Sequence, residues 1–197
     1  MKKWSIDNLQ KTWYLISKLH QGQKYGGDEE NLQIEYINHI GSVTFEIINS
    51  FNFEENIDAD FTISCALLHD TIEDTEITFE KIKELFGEQI ANGVSALTKN
   101  TSLENKNDQM TDSLFRIQQQ PKEVWSVKMA DRICNLYSPP YYWTTEKKKE
   151  YHKESILIYD TLKEGNTYLA NRLKQRIDDY VKSVSYTHLT LPTTPYV

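Results

Sequence analysis

Glycine and proline are scarce in this chain: seven and five in 197 residues, with only Pro121, Pro139 and Pro140 ahead of Ser183. A protein of many short strands and tight turns needs far more such punctuation, so the scarcity excludes an all-β sandwich or barrel and favours helices. Cysteine is scarcer still. Cys65 and Cys134 make neither a disulfide framework nor a Cys-x-x-Cys metal spacing, and read as reduced, buried thiols. Long apolar runs are missing: stretches such as Cys65 to Leu68 fall far short of the ~20 residues that span a bilayer. The N-terminus carries no signal-peptide run or cleavage site, so a cytoplasmic protein with no membrane partner is expected. Positive charge is in deficit, since 22 Lys and Arg against 29 Asp and Glu leave −7, which disfavours a nucleic-acid partner. A chain of this length suits one domain that buries about 70% of its unfolded surface.

What the chain does have is helical periodicity. Ile6, Leu9, Trp13, Ile16 and Leu19 recur at steps of three and four, predicting a helix over 4–20. Residues 36–51 (Ile37, Ile40, Val43, Phe45, Ile47, Ile48, Phe51) and 59–69 predict two more that are well buried. Thr78 is placed to cap a short helix that Gly87 ends, and another helix runs to Leu97. Residues 100–109 are polar and aperiodic, which predicts a mobile loop before a helix near 110–119. Pro121 opens the next helix and Pro139-Pro140 stops it. A closing pair, 145–163 and 166–182, is split at Gly165, with Ile156, Tyr159 and Leu162 facing Leu169, Leu173 and Ile177. There is no internal repeat, and nothing in the pattern sets an oligomeric state. From Ser183 to Val197 the composition shifts to Thr, Pro and Tyr, so the domain is expected to end at 182. The tail 183–197 is expected to be disordered, and its likeness to translated sequencing-adaptor read-through marks it as non-native.

The sharpest chemical feature is His69-Asp70-Thr71-Ile72-Glu73-Asp74. On a helix or helix end, His69 with Glu73 and Asp70 with Asp74 lie one turn apart, so a cation held by the first pair has acids beside it. A divalent ion lowers the pKa of bound water from ~15.7 towards ~7, and a nearby carboxylate then holds or shuttles the proton. The plain alternative is a solvated acidic helix end. Two further segments weigh against it: Tyr36-Ile37-Asn38-His39 puts a histidine in an apolar helix, and Val127 to Asn135 puts Asp131 in another. Alone, each would be a satisfied core histidine or a surface Asp-Arg pair. Together the four supply two imidazoles and two carboxylates, a shell that suits Mn, Fe, Zn or Mg.

The ordered series H…HDxxED…D resembles the HD-domain phosphohydrolases, in particular the hydrolase domain of the RelA/SpoT-type alarmone enzymes and their small stand-alone relatives. The likeness runs through residues 4–182: HQGQ at His20–Gln23, YINH at Tyr36–His39, ALLHDTIEDT at Ala66–Thr75, LTK at Leu97–Lys99 and VKMADRICNL at Val127–Leu136. It implies an all-α, compact multi-helix bundle and one Mn ion held by His39, His69, Asp70 and Asp131. It also implies catalytic roles for Glu73 and Asp74, and removal of pyrophosphate from the 3′ position of guanosine tetra- or pentaphosphate. The substrate would be a small nucleotide.

The chain departs from the family where a basic Arg-Lys pair would follow HxxQ, since Tyr25 and Gly26 stand there, and Ile40 replaces the proline after YINH. Residues 28–35 lengthen the loop before it. Lys24, Tyr25, Lys128 and Asn135 are the substrate-contact candidates; Arg132 is equally a structural ion-pair partner and Lys99 a local positive charge. His20, His152 and His188 find no partner in the pattern. The competing functions are a 5′-nucleotidase or other nucleotide pyrophosphohydrolase, a noncatalytic nucleotide-sensing module, and a purely structural helical protein.

Overall fold

The computed structural model describes residues 4–137 and 139–186. Helices α1 (Ile6–Leu19), α2 (Ile37–Ser50), α3 (Ala59–Leu68) and the single turn α4 (Thr71–Asp74) form the first half, with a small hairpin, β1 (Lys24–Gly26) and β2 (Gln33–Glu35), between α1 and α2. Helices α5 (Phe79–Phe86), α6 (Glu88–Leu97), α7 (Lys106–Gln118), α8 (Lys122–Asn135), α9 (Thr145–Leu162) and α10 (Thr167–Tyr186) complete it. The expected all-α architecture is borne out, the hairpin being a small addition.

The centre of the bundle is α3, whose side chains are buried from Ala59 to Leu68 apart from Asp60. A helix that is apolar on all sides must be covered on all sides. It packs against α1, α2, α6 and α8. Its start is fixed by Asp58, whose carboxylate accepts the Phe61 N–H at 3.0 Å. Asp60 in turn accepts the Ser5 N–H at 2.9 Å, which ties the beginning of α1 to the beginning of α3. The end of α6 is held from outside: Arg116 of α7 donates to the carbonyls of Ser95 (2.6 Å), Ala96 (3.2 Å) and Thr98 (2.8 Å). These are carbonyls that a helix end leaves without partners, and a cation there also answers the helix dipole.

Several sequence expectations are corrected. The polar stretch 100–109 does not stay irregular throughout, because Asn105 caps α7 by accepting the Asn107 N–H at 2.8 Å and the helix starts at Lys106. Residues 33–35, read as loop, pair with 24–26 in register Lys24↔Glu35 and Tyr25↔Ile34, and a Lys24–Glu35 ion pair of 3.1 Å reinforces the match. The periodicity groups Ile6, Phe45 and Ile156 with apolar faces, whereas they are 51%, 68% and 39% exposed. In α9 the core residues are Ile158 and Leu162, since the run Ile156-Leu157-Ile158 offers three apolar positions to a helix that buries one face. Helix α10 continues to Tyr186, past the composition change at Ser183, and residues 187–197, where most of the expected disordered tail falls, lie outside the described residues.

Gly93 on α6 marks a close crossing: a Cβ there would sit 3.0 Å from Cys65 Sγ and 3.1 Å from Val124 Cγ2. Gly93→Ala is therefore expected to destabilise the protein by about 1–3 kcal/mol, as overpacked cores do. Urea unfolding would show this as a lower midpoint at unchanged slope; an unchanged midpoint would show that the three helices part freely.

Candidate metal centre and cavity

Three helices and one turn deliver the polar cluster. His39 lies in the first turn of α2, His69 closes α3, Asp70 opens α4 immediately after it, and Asp131 projects from α8. His69 Nε2 stands 3.4 Å from His39 Nε2 and 2.9 Å from Asp70 Oδ2, and His39 Nε2 is 3.7 Å from that same oxygen. Asp131 joins through His39, with its Oδ1 3.4 Å from Nε2. Donors about 3 to 4 Å apart are what a cation with bonds near 2.1 Å requires. The ligand atoms of His39, His69 and Asp70 all lie within 4.8 Å of one another.

The tautomer fits as well. His69 Nδ1–H donates to the Ala66 carbonyl at 2.8 Å, which makes Nε2 the ring nitrogen that faces the cluster. Asp131 is steadied by Lys128 Nζ on Oδ2 (3.0 Å) and by the Asn135 amide on Oδ1 (2.6 Å). The Tyr36 hydroxyl donates to Asp70 Oδ2 at 2.6 Å. The two imidazoles and the Asp70 carboxylate in this arrangement fit a divalent metal, with the Asp131 carboxylate beside them at His39.

Electrostatics follow from the crowding. Burial works against the charged form of His69, but Asp70 beside it prevails and raises its pKa to about 9. Burial likewise opposes ionisation of Asp70 and Asp131; His69 holds the first below the usual carboxylate range, and Lys128 with the two histidines does so for the second. Asp74 moves the other way, raised by partial burial and by the charges of Asp70 and Glu73.

The cluster forms part of the lining of a cavity of about 1220 Å³, at or above the upper end of ordinary ligand sites. Glu73 and Asp74 line it, one turn beyond the His69-Asp70 pair. Both Glu73 oxygens are engaged by Lys99, Oε1 by Nζ at 2.6 Å and Oε2 by the backbone N–H at 3.1 Å. Tyr25, Tyr142, Trp143 and the exposed Phe45 add an aromatic wall. Tyr25 and Asn135 of the substrate-contact candidates line the cavity, and so does Lys128, though it is spent on Asp131. Lys24 is not among the lining residues and pairs with Glu35 across the hairpin. Arg132 takes its structural role: it is buried, pairs with Glu154 at 3.4 Å and lies over the Tyr151 ring. Sequence reasoning missed Tyr36 as a partner of Asp70. Its place in YINH, one turn ahead of the ligand histidine region and adjacent to the bundle, was the available signal.

An HD-domain family model matches residues 12–173. A guanosine-3′,5′-bis(diphosphate) 3′-pyrophosphohydrolase from Aquifex aeolicus is 33% identical over 71% of this chain, which spans only 19% of that protein. The MESH1 protein of the same enzyme name from Xenopus tropicalis is 30% identical over 73% of this chain and 80% of its own length. The solved structure of a metazoan SpoT ortholog, titled as hydrolysing ppGpp, superposes with a TM-score of 0.75 over 90% of this chain and 98% of that one, at 21% identity.

With His69 protonated up to about pH 9 in the metal-free protein, a divalent ion must displace that proton to bind. Apparent metal affinity is expected to fall about tenfold per pH unit as the pH drops from 9 towards 7. Isothermal titration in buffers of different ionisation enthalpy checks this; a pH-independent affinity with no proton release would show that His69 is neutral before the metal arrives.

Proposed function

The chain belongs to the HD-domain family, and from that premise we propose that it is a divalent-metal-dependent guanosine-3′,5′-bis(diphosphate) 3′-pyrophosphohydrolase. The observation that carries the reading is the meeting of His39, His69, Asp70 and Asp131 in one cavity with Glu73 and Asp74 beside them. The family match and the names of the relatives support it. We assign manganese to the four-residue set, with Fe, Zn or Mg as the alternatives a mixed imidazole and carboxylate shell accepts.

When bound, the ion supplies charge neutralisation for the phosphates and acidifies water. The chain's own residues divide the remaining work. Glu73, fixed through both oxygens by Lys99, orients the attacking water towards the phosphorus that carries the ribose 3′ oxygen. Asp74, whose carboxyl holds a proton better than an ordinary aspartate, takes a proton from that water. The water oxygen bonds to phosphorus, the P–O3′ bond breaks, and the ribose oxygen leaves with a proton returned through Asp74. Pyrophosphate and guanosine diphosphate result. In-line transfer of this kind rests on positioning and electrostatics, so no covalent nucleophile is required.

Tyr25, Lys128 and Asn135 are our substrate contacts, whereas Lys24 drops out of that role. Lys106 and Lys147 line the same cavity without a carboxylate partner among the described residues, whereas Lys99, Lys128, Arg132 and Arg172 are each paired with one, so these two are the cations left for distal phosphates. No helix of the described residues is long and apolar enough to cross a membrane; a cytoplasmic location and the lack of a nucleic-acid partner belong to this proposal. One observation favours a second reading, hydrolysis of another nucleotide phosphate: a Cβ at Gly26 would meet the Tyr142 ring at 2.9 Å, so an aromatic side chain occupies the space of a basic one.

Incubation of manganese-loaded protein with guanosine tetraphosphate, resolved by anion-exchange chromatography, is expected to give guanosine diphosphate and pyrophosphate. Release of a different phosphate, or preference for ordinary nucleotides, would transfer support to the second reading. His39→Ala and Asp70→Ala are expected to lose bound metal and turnover together, by metal analysis and rate. Glu73→Gln is expected to keep the metal and lose at least about 10²-fold in kcat; an unchanged rate would make Glu73 structural.

A further inference from the structure

His20 closes α1 and is buried, although it stands in none of the roles described above. Its Nδ1 lies 2.7 Å from the Gln23 side-chain oxygen, and the same Gln23 amide donates through Nε2 to the Asp74 carbonyl at 2.7 Å. An amide that donates from nitrogen must accept on oxygen, so His20 Nδ1 carries the hydrogen. Nε2 is buried and has no hydrogen-bond partner among the described residues. A buried polar atom with no partner is uncommon enough to need a reason.

The other face of the ring supplies one. The His20 ring stacks on Tyr36 with centroids 5.3 Å apart and planes 30° from parallel. Tyr36 hydrogen-bonds twice into the same array, its backbone N–H to the Gln23 carbonyl at 2.9 Å and its hydroxyl to Asp70 Oδ2 at 2.6 Å. Asp70 and Asp74 are the two ends of α4, a single turn that also carries Glu73. A one-turn helix has almost no stability of its own. Here one end is held by Tyr36 and the other by Gln23, and His20 touches both.

We propose that His20 is a positioning residue that, through Gln23 and Tyr36, clamps the α4 turn and so sets the aim of Glu73 and Asp74. The catalytic part of this inference rests on the hydrolase reading; the clamp itself does not. Two variants separate its halves: His20→Phe keeps a ring against Tyr36 and removes the donor, and His20→Asn keeps an N–H near the Nδ1 position and removes the ring.

In His20→Phe the amides of Asp74 and Thr75, which close the α4 turn on Asp70 and Thr71, are expected to exchange with solvent at least about tenfold faster, with those of α10 unchanged. For guanosine tetraphosphate kcat is expected to fall about 10- to 10²-fold, the scale of a misplaced group, with KM within about twofold and bound metal unchanged. His20→Asn is expected to fall between this variant and the native protein in both measures. In an Asp74→Asn background the added loss in kcat is expected to shrink, because one of the two residues acted upon has already been removed while Glu73 remains. Unaltered exchange of the α4 amides, or a loss equally large in the Asp74→Asn background, overturns the proposal. Long-range proton–nitrogen spectra showing His20 protonated at Nε2 and bare at Nδ1 overturn it independently of activity. Native protein that fails to cleave guanosine tetraphosphate, with α4 exchange still responding to His20→Phe, overturns the substrate reading and supports the clamp.

Discussion

Carboxylates and imidazoles brought out of water among apolar helices cost several kcal/mol each unless their charges are answered. Most of the functional half of this protein is organised around that constraint. Asp70, His69, His39 and Asp131 answer one another, and Lys128, Asn135 and Tyr36 satisfy what is left over. The close approach of two imidazole nitrogens among carboxylates is eased in the metal-free chain by the raised pKa of His69 beside Asp70. In the proposed metal-loaded protein the same groups would serve as ligands and that proton would be surplus. Structure and proposed chemistry therefore share one electrostatic problem with two solutions.

The helical frame converts that cluster into a reactive geometry by holding short segments from outside. The α4 turn is too short to stand alone, and it takes its position from α3 before it, Tyr36 and Gln23 around it, and Lys99 across from it. Lys99 in turn is placed by the end of α6, where Arg116 gathers the last carbonyls. The hairpin contributes by bringing Tyr25 to the cavity while the Tyr141 N–H donates to the Gly27 carbonyl at 3.3 Å, which joins it to the segment leading into α9.

Much of this was legible in the chain. The periodicity of residues 4–20, 36–51 and 59–69 located α1, α2 and α3, and the sparse Gly and Pro fixed the fold class. HDTIED was readable as a metal-adjacent acidic turn because its groups are neighbours in sequence. What escaped was long-range or marginal. The hairpin strands are three residues each, too short for alternation to register. Asn105 as a cap was hidden in a polar run where many residues are capable of capping. Phe45 reads as core in any helical tally, since composition does not distinguish an apolar side chain facing a cavity from one facing the bundle. His20 had no partner in the pattern because its partners, Tyr36 and the Asp74 carbonyl by way of Gln23, come from segments that only folding brings near.

The sequence by itself determined the helices, the ligand-type side chains and the acids next to them, because these are local matters of period, residue type and spacing within one turn. Tertiary structure alone decided that His69 and Asp131, far from His39 in sequence, each bring a polar atom to 3.4 Å from its Nε2. It also decided that Glu73 faces Lys99 and that Tyr142 fills the space beside Gly26. Such meetings depend on how buried helices cross, and crossing is set by packing over the whole bundle rather than by any short stretch of it.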